Sequence, residues 1–288
     1  MDIGGNTRIC GLIGNPVEHS KSPLIHNTIA DAMGEDLKYV LFRVDEKAQL
    51  EAAIKGAYAL NIQGLNITVP YKSDVIPFLK ELDPLAERIG AVNTLVRIEG
   101  GFKGFNTDMP GLYRALSEDG VKIEGEDVVV LGAGGAARAV CMMLAERNVG
   151  RVFLLNRTIE RAEAVANEIN GLHDAKIIFP KVLDWYKDIP EGKKYIVIQA
   201  TSVGMVPHPE GVIIEDEGFY NKVSVGYDII FNPRETRFMK LVKAHGGEAY
   251  NGAKMLLYQG VIAHELWTGI PVPFALAAKA YEKMYGEV

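Results

Sequence analysis

At 288 residues the chain has the length of two modest domains or one large one. Its 48% hydrophobic and 24% charged residues describe an ordinary globular protein able to bury a core. A formal net charge of −6 argues against a nucleic-acid partner, and no uninterrupted apolar stretch reaches the length that spans a bilayer.

The first residues, Met1 to Asn6, lack the basic and apolar regions of a signal peptide, so a cytoplasmic location is expected. Residues 8–13 read as a strand, 23–33 as a helix, 38–44 as a strand, 47–58 as a helix and 62–69 as a third strand. Alternation of this kind argues for βαβ units and a largely parallel sheet. Residues 91–98 and 102–105, separated by Gly100 and Gly101, look like a hairpin. A polar, glycine-containing connection at 118–127 precedes a second alternating series. That series has strands at 128–131, 152–155, 176–179, 195–199 and 223–230, with helices at 137–147 and 158–170. The second helix opens on Thr158 as N-cap. A last long helical pattern, 252–268, lies outside the series. Cys10 falls in a predicted strand and Cys141 in a predicted helix, as buried thiols of a reducing compartment would. No Cys/His spacing suggests a metal site.

Chemistry first shows where the second series begins. Val128 to Leu131 run into Gly132-Ala133-Gly134-Gly135-Ala136-Ala137, a Gly-x-Gly-x-x-Ala dinucleotide fingerprint between a strand and a helix. The glycines let the backbone turn sharply and approach a pyrophosphate at the helix N-terminus. A tight strand-to-helix turn with no ligand is the plainer reading of the glycines alone. After the next strand, where an NAD enzyme usually carries an acid, the chain has Asn156-Arg157-Thr158, with Arg161 one helical turn on. Arginine there attracts a 2′-phosphate, which points to NADP.

Four stretches in the first lobe carry polar residues where a core strand would not want them. They are His19-Ser20-Lys21-Ser22-Pro23, Asn66-Ile67-Thr68-Val69-Pro70-Tyr71-Lys72, Gly90-Ala91-Val92-Asn93-Thr94 and Asn106-Thr107-Asp108. Each has a plainer explanation. Ser20 or Ser22 can cap the helix at Pro23, Lys72 can be a surface lysine, Asp108 can cap a helix from Pro110, and Asn93 can stabilise a turn.

Taken together and in order, these motifs resemble the shikimate dehydrogenase family. The resemblance continues through Gly132 to Arg138, Asn156 to Thr158 and Ala200-Thr201-Ser202-Val203-Gly204-Met205. It ends in Asn251-Gly252-Ala253-Lys254-Met255-Leu256 with Gln259, and Glu265 to Gly269. It implies reversible NADPH-dependent reduction of 3-dehydroshikimate to shikimate in aromatic amino-acid biosynthesis. By the same resemblance Lys72 and Asp108 are the catalytic pair. Ser20 and Ser22 hold the substrate carboxylate, and Thr68, Asn93 and Gln259 read the ring hydroxyls. Gly204, Met205 and Met255 flank the nicotinamide, with Thr201 and Gly252 beside the cofactor. For Met255, core packing stands as an equal reading.

The implied architecture is α/β, with an N-terminal, mostly parallel substrate domain and a Rossmann dinucleotide-binding domain, and a cleft between them. The first would span 1–108 completed by 252–288, the second 109–251, in a monomer or homodimer. Three residues depart from the family pattern. Phe231 stands where a tyrosine is common, Met109 where glycine is, and Gln199 where asparagine is. The missing phenol at 231 is worth roughly 0.5–1.5 kcal/mol, and Tyr227 would share its face if the stretch were a strand. Two alternatives follow. A broader enzyme would also oxidise quinate and would tolerate NAD. A non-catalytic NADP-binding sensor would show erosion around Lys72, Asp108 and Asn93.

Overall fold

In a computed structural model, which describes residues 3–286, β1 (Arg8–Gly14) is buried over its last five residues and leads to α1 (Ser22–Met33). Met1 and Asp2, where the stretch read for a leader begins, lie outside the described residues. β2 (Leu37–Arg43) pairs parallel with β1 along its whole length. The single helix expected over 47–58 is broken, a 3₁₀ turn at Lys47–Gln49 giving way to α2 (Leu50–Ala59). β3 (Gly64–Ile67) pairs parallel on the other side of β1. Then follow β4 (Glu81–Leu82), α3 (Pro84–Ile89), β5 (Thr94–Ile98) and β6 (Gly101–Phe105).

The strand order is β2-β1-β3-β5-β6-β4, and only β5 runs antiparallel to its neighbours. Because β5 is reversed, its start lies at the same edge of the sheet as the ends of β1, β3 and β6. All four polar stretches of the sequence therefore gather at one edge, the carboxyl end of the parallel strands.

α4 (Asp108–Glu118) leads into the second series: β7 (Val128–Leu131), α5 (Gly135–Glu146), β8 (Val152–Asn156), α6 (Ile159–Asn170), β9 (Ile178–Val182), β10 (Tyr195–Gln199), β11 (Val223–Asp228), α7 (Arg237–Ala244) and β12 (Glu248–Tyr250). These strands form one parallel sheet in the order β12-β11-β10-β7-β8-β9. Val128–Leu131 is buried at every position, as a central parallel strand covered on both faces requires. The chain winds outward from β7 to β9 and returns on the other side at β10. The switch in strand order thus falls between β7 and β10, where an open α/β sheet leaves its ligand crevice.

α8 (Ala253–Thr268) and α9 (Phe274–Gly286) end the chain. Ala263 and Trp267 of α8 join Cys10, Leu37 and Tyr39 in one apolar cluster, so the late helix completes the first core. Gly64 is required there, because a Cβ at that position would run into the Trp267 ring. The Trp267 indole N–H donates to Leu95 O at 2.9 Å. Two compact units result. One holds the described residues up to Gly111 and from Leu257 on; the other is Leu112–Leu256. Among the described residues, no helix is long and apolar enough to cross a membrane, and no grouping of three His, Cys, Asp or Glu could hold a metal. Cys10 and Cys141 are free and buried.

Candidate active site

At the edge of the first sheet, Lys72 Nζ donates to Asp108 Oδ2 at 2.6 Å. Asn93 Nδ2 donates to the other carboxylate oxygen, Oδ1, at 2.9 Å. Lys72 follows β3, Asn93 precedes β5 and Asp108 opens α4, so three separate segments meet on one carboxylate. The Lys72 side chain is 33% exposed and that of Asp108 19%, which leaves the pair within reach of a small molecule. Asp108 does not serve as the cap of its own helix. Asn106 Oδ1 accepts from the N–H groups of Asp108 and Met109 instead, at 3.1 and 3.4 Å.

Behind this contact lies a buried polar network. Asn93 Oδ1 accepts from Thr107 N at 2.7 Å and from the hydroxyls of Thr94 and Thr107, both at 3.1 Å. Asn66 Nδ2 donates to Asn93 O at 3.1 Å and to Thr94 Oγ1 at 3.0 Å, and Tyr39 Oη donates to Asn66 Oδ1 at 2.8 Å. Asn66, Thr94 and Thr107 lie in stretches the sequence marks as out of place in a core, but Tyr39 reads as an ordinary strand aromatic.

The other expected substrate contacts border the same edge. Thr68 follows β3 and packs on Gly14 at the end of β1, where a Cβ would strike its methyl group. Ser22 is buried in the first turn of α1, and its N–H donates to Ser20 Oγ at 3.2 Å. Neither serine is the cap. Lys21 holds that position and makes no side-chain capping bond. Gln259 lies on α8 in the same unit, where its backbone comes so near α4 that a Cβ on Gly111 would sit 2.7 Å from its nitrogen.

In the second unit the glycine turn follows β7 at the switch point. Gly132 has φ +109°, and a Cβ there would meet Thr201 Cγ2 at 2.5 Å, so the turn after β7 and the loop after β10 touch. Gly134 and Gly135 differ, for a Cβ on either would meet nothing within 4 Å. Gly134, Gly135 and Ala136 are exposed at the start of α5, Ala133 is half-buried, and no side chain caps the helix. Uncapped N–H groups beside open space suit a pyrophosphate. Asn156 ends β8, and its Nδ2 donates to Thr158 O at 2.8 Å. Thr158 holds the N-cap position of α6 but makes no side-chain capping bond, contrary to expectation. Arg157 and Arg161 are exposed and carry no ion pair among the described residues. Arg138, by contrast, pairs with Glu168.

Gln199, a departure from the family pattern, has a structural task. Fully buried, its Oε1 accepts from Thr201 N and Oγ1 at 2.6 and 2.8 Å, and its Nε2 donates to Asp228 Oδ1 at 3.3 Å. Burial pushes the Asp228 carboxyl up to about 6. Gly204, at φ +95°, and the half-exposed Met205 continue this loop. Gly252 lies against the end of β11, donating to Ile230 O at 3.0 Å, and Met255 is half-buried on the first turn of α8. Tyr227 and Phe231 do not share the face of one strand. β11 stops at Asp228, Tyr227 is fully buried, and Phe231 beyond the strand is 46% exposed.

Family models match at both ends and in the middle of the chain. The shikimate dehydrogenase substrate binding domain matches residues 12–95, shikimate / quinate 5-dehydrogenase residues 115–203, and the shikimate 5'-dehydrogenase C-terminal domain residues 252–280. The chain is 41% identical over 276 residues to the shikimate dehydrogenase (NADP(+)) of Desulforamulus reducens, covering 94% of this chain and 93% of that one. This chain belongs to the shikimate dehydrogenase family. Within the family, shikimate 5-dehydrogenase from Listeria monocytogenes, in complex with shikimate and NAD, has a TM-score of 0.88 at 32% identity, covering 97% of this chain and 98% of that one. For shikimate 5-dehydrogenase from Thermus thermophilus, in complex with NADP(H) and shikimate, the values are 0.82 and 32%, covering 96% and 99%.

Proposed function

We propose that the chain catalyses the reversible, NADPH-dependent reduction of 3-dehydroshikimate to shikimate, acting on a CH–OH group in aromatic amino-acid biosynthesis. The observation that carries this reading is the meeting of Lys72, Asn93 and Asp108 on one carboxylate in a member of the shikimate dehydrogenase family. NADPH supplies the hydride when bound. The ammonium of Lys72 donates a hydrogen bond or proton to the substrate carbonyl oxygen as charge develops there, and takes it back in the reverse direction. Asp108 holds that ammonium in place, and Asn93 holds Asp108.

Ser20 and Ser22, at the N-terminus of α1, bind the substrate carboxylate through hydroxyl donors in a favourable helix dipole. Thr68, Asn93 and Gln259 read the ring hydroxyls. The turn from Gly132 to Ala136 takes the pyrophosphate of NADP. Arg157 and Arg161, with Asn156 and Thr158, take the 2′-phosphate. Thr201, Gly204, Met205, Gly252 and Met255 line the nicotinamide side. The first unit is thus the substrate domain and the second the cofactor domain, both in one chain, so a monomer or homodimer serves equally. Two free, buried cysteines suit work in the reducing cytoplasm. The broader quinate reading is not favoured, since Arg157 stands where an NAD enzyme carries an acid.

Replacing Lys72 with Ala tests the assignment. Turnover is expected to fall about a hundredfold or more while NADP binding is retained. Turnover at the original rate would overturn it.

A further inference from the structure

We infer that Tyr39 is a positioning residue of this reaction: its buried phenol holds, through Asn66 and Thr94, the Asn93 amide that fixes Asp108 against Lys72. The inference rests on the reading of Lys72 and Asp108 as the reacting pair.

The direction of every link is set by groups that cannot change roles. Asn93 O only accepts, so the side-chain nitrogen of Asn66 must face it, at 3.1 Å. The Asn66 oxygen must then face Tyr39, and the phenol must donate, at 2.8 Å. Thr107 N only donates, so the Asn93 side-chain oxygen must face it, at 2.7 Å. The Asn93 nitrogen is thereby turned onto Asp108, at 2.9 Å. Thr94 Oγ1 joins the two amides, accepting from Asn66 at 3.0 Å and donating to Asn93 at 3.1 Å.

Tyr39 is itself held on two sides. The Asn27 side chain bonds both its backbone groups, at 2.9 and 3.1 Å. The His26 ring stacks on its face, with centroids 4.3 Å apart and planes at 14°. The residue is 2% exposed. Burial pushes the phenol well above its ordinary range. Without that hydroxyl, the buried Asn66 oxygen loses its donor, and the amide loses the contact that fixes it from behind. A loosened amide holds Asn93 O and Thr94 less firmly, and Asp108 loses the support behind Asn93.

Two shape-preserving variants test this, Tyr39→Phe and Thr94→Val. Each is expected to lower kcat for shikimate oxidation about tenfold, with KM for NADP within about twofold of the original. Because both cut one chain of bonds, the double variant loses no more than the worse single one. A lowered melting temperature with unchanged kcat, or additive losses in the double variant, overturns the inference; where one variant fails to fold, the other decides. Lys72→Ala is assayed beside them. Its full turnover would sink the underlying reading, whereas its inactivity beside an unchanged Tyr39→Phe would sink the inference alone.

Discussion

Asp108 is gripped at both oxygens, by Lys72 on one and Asn93 on the other. An ion pair at this exposure contributes little to stability, about 0–1 kcal/mol, so the arrangement is better accounted for by what it orients than by what it stabilises. The buried amide of Asn93 gives the carboxylate one orientation, and the carboxylate gives the ammonium one. Arg157 is the opposite kind of residue, exposed and without an ion pair among the described residues. Its proposed partner is a phosphate. Arg157→Ala is expected to weaken NADP binding about tenfold while NAD binding scarcely changes, as measured by titrating each dinucleotide. Equal weakening of both would contradict the 2′-phosphate assignment.

The turn between β7 and α5 separates two jobs that glycine does. At Gly132 the backbone lies at φ +109° and a Cβ would meet Thr201 Cγ2 at 2.5 Å, so Gly132→Ala is expected to destabilise the fold by about 1–3 kcal/mol. At Gly134 φ is −88° and a Cβ has open space, so Gly134→Ala is expected to keep the melting temperature but weaken NADP binding. A Gly134→Ala protein that binds NADP normally would remove the pyrophosphate from this turn. Most strands and several of the long helices are legible because their apolar periods run unbroken; α9 is not among them. β12 is three residues long, too short to have a period. α3, six residues long, has too little apolar period to show, although Asp83 and Pro84 announce it, the Asp83 side chain accepting from Leu85 N at 3.0 Å. α7 likewise opens on Thr236, which accepts from Met239 N at 3.3 Å. The site was legible as four polar stretches, yet not in its wiring. Asn106, not Asp108, accepts from the first N–H groups of α4, and Tyr39 is indistinguishable in sequence from any core aromatic. Hydrogen-bond partners across a sheet depend on register, which local pattern does not encode.

Across the molecule, pH acts through groups buried away from solvent. Burial holds His26 well below the ordinary imidazole value of 6.5, and lowers His264 too despite the nearby Glu35 carboxylate. Such a ring stays neutral when folded and takes a proton when unfolded, so its contribution to stability is present above about pH 6.5 and is lost as pH falls. Each imidazole adds a slope of up to about 1.4 kcal/mol per pH unit. Asp228 works the other way between about pH 4 and 6, since its folded carboxyl keeps a proton that the unfolded chain has released. His26→Phe, which retains a ring against Tyr39, is expected to flatten the fall in melting temperature below pH 6.5; an unchanged slope would contradict this. The account as a whole stands on one assay of the purified protein, the reduction of NADP and of NAD with shikimate and quinate offered side by side. Rapid turnover of shikimate with NADP, and little with quinate or NAD, is the expected result. Preferential use of quinate or of NAD, or no turnover of shikimate at all, would contradict it.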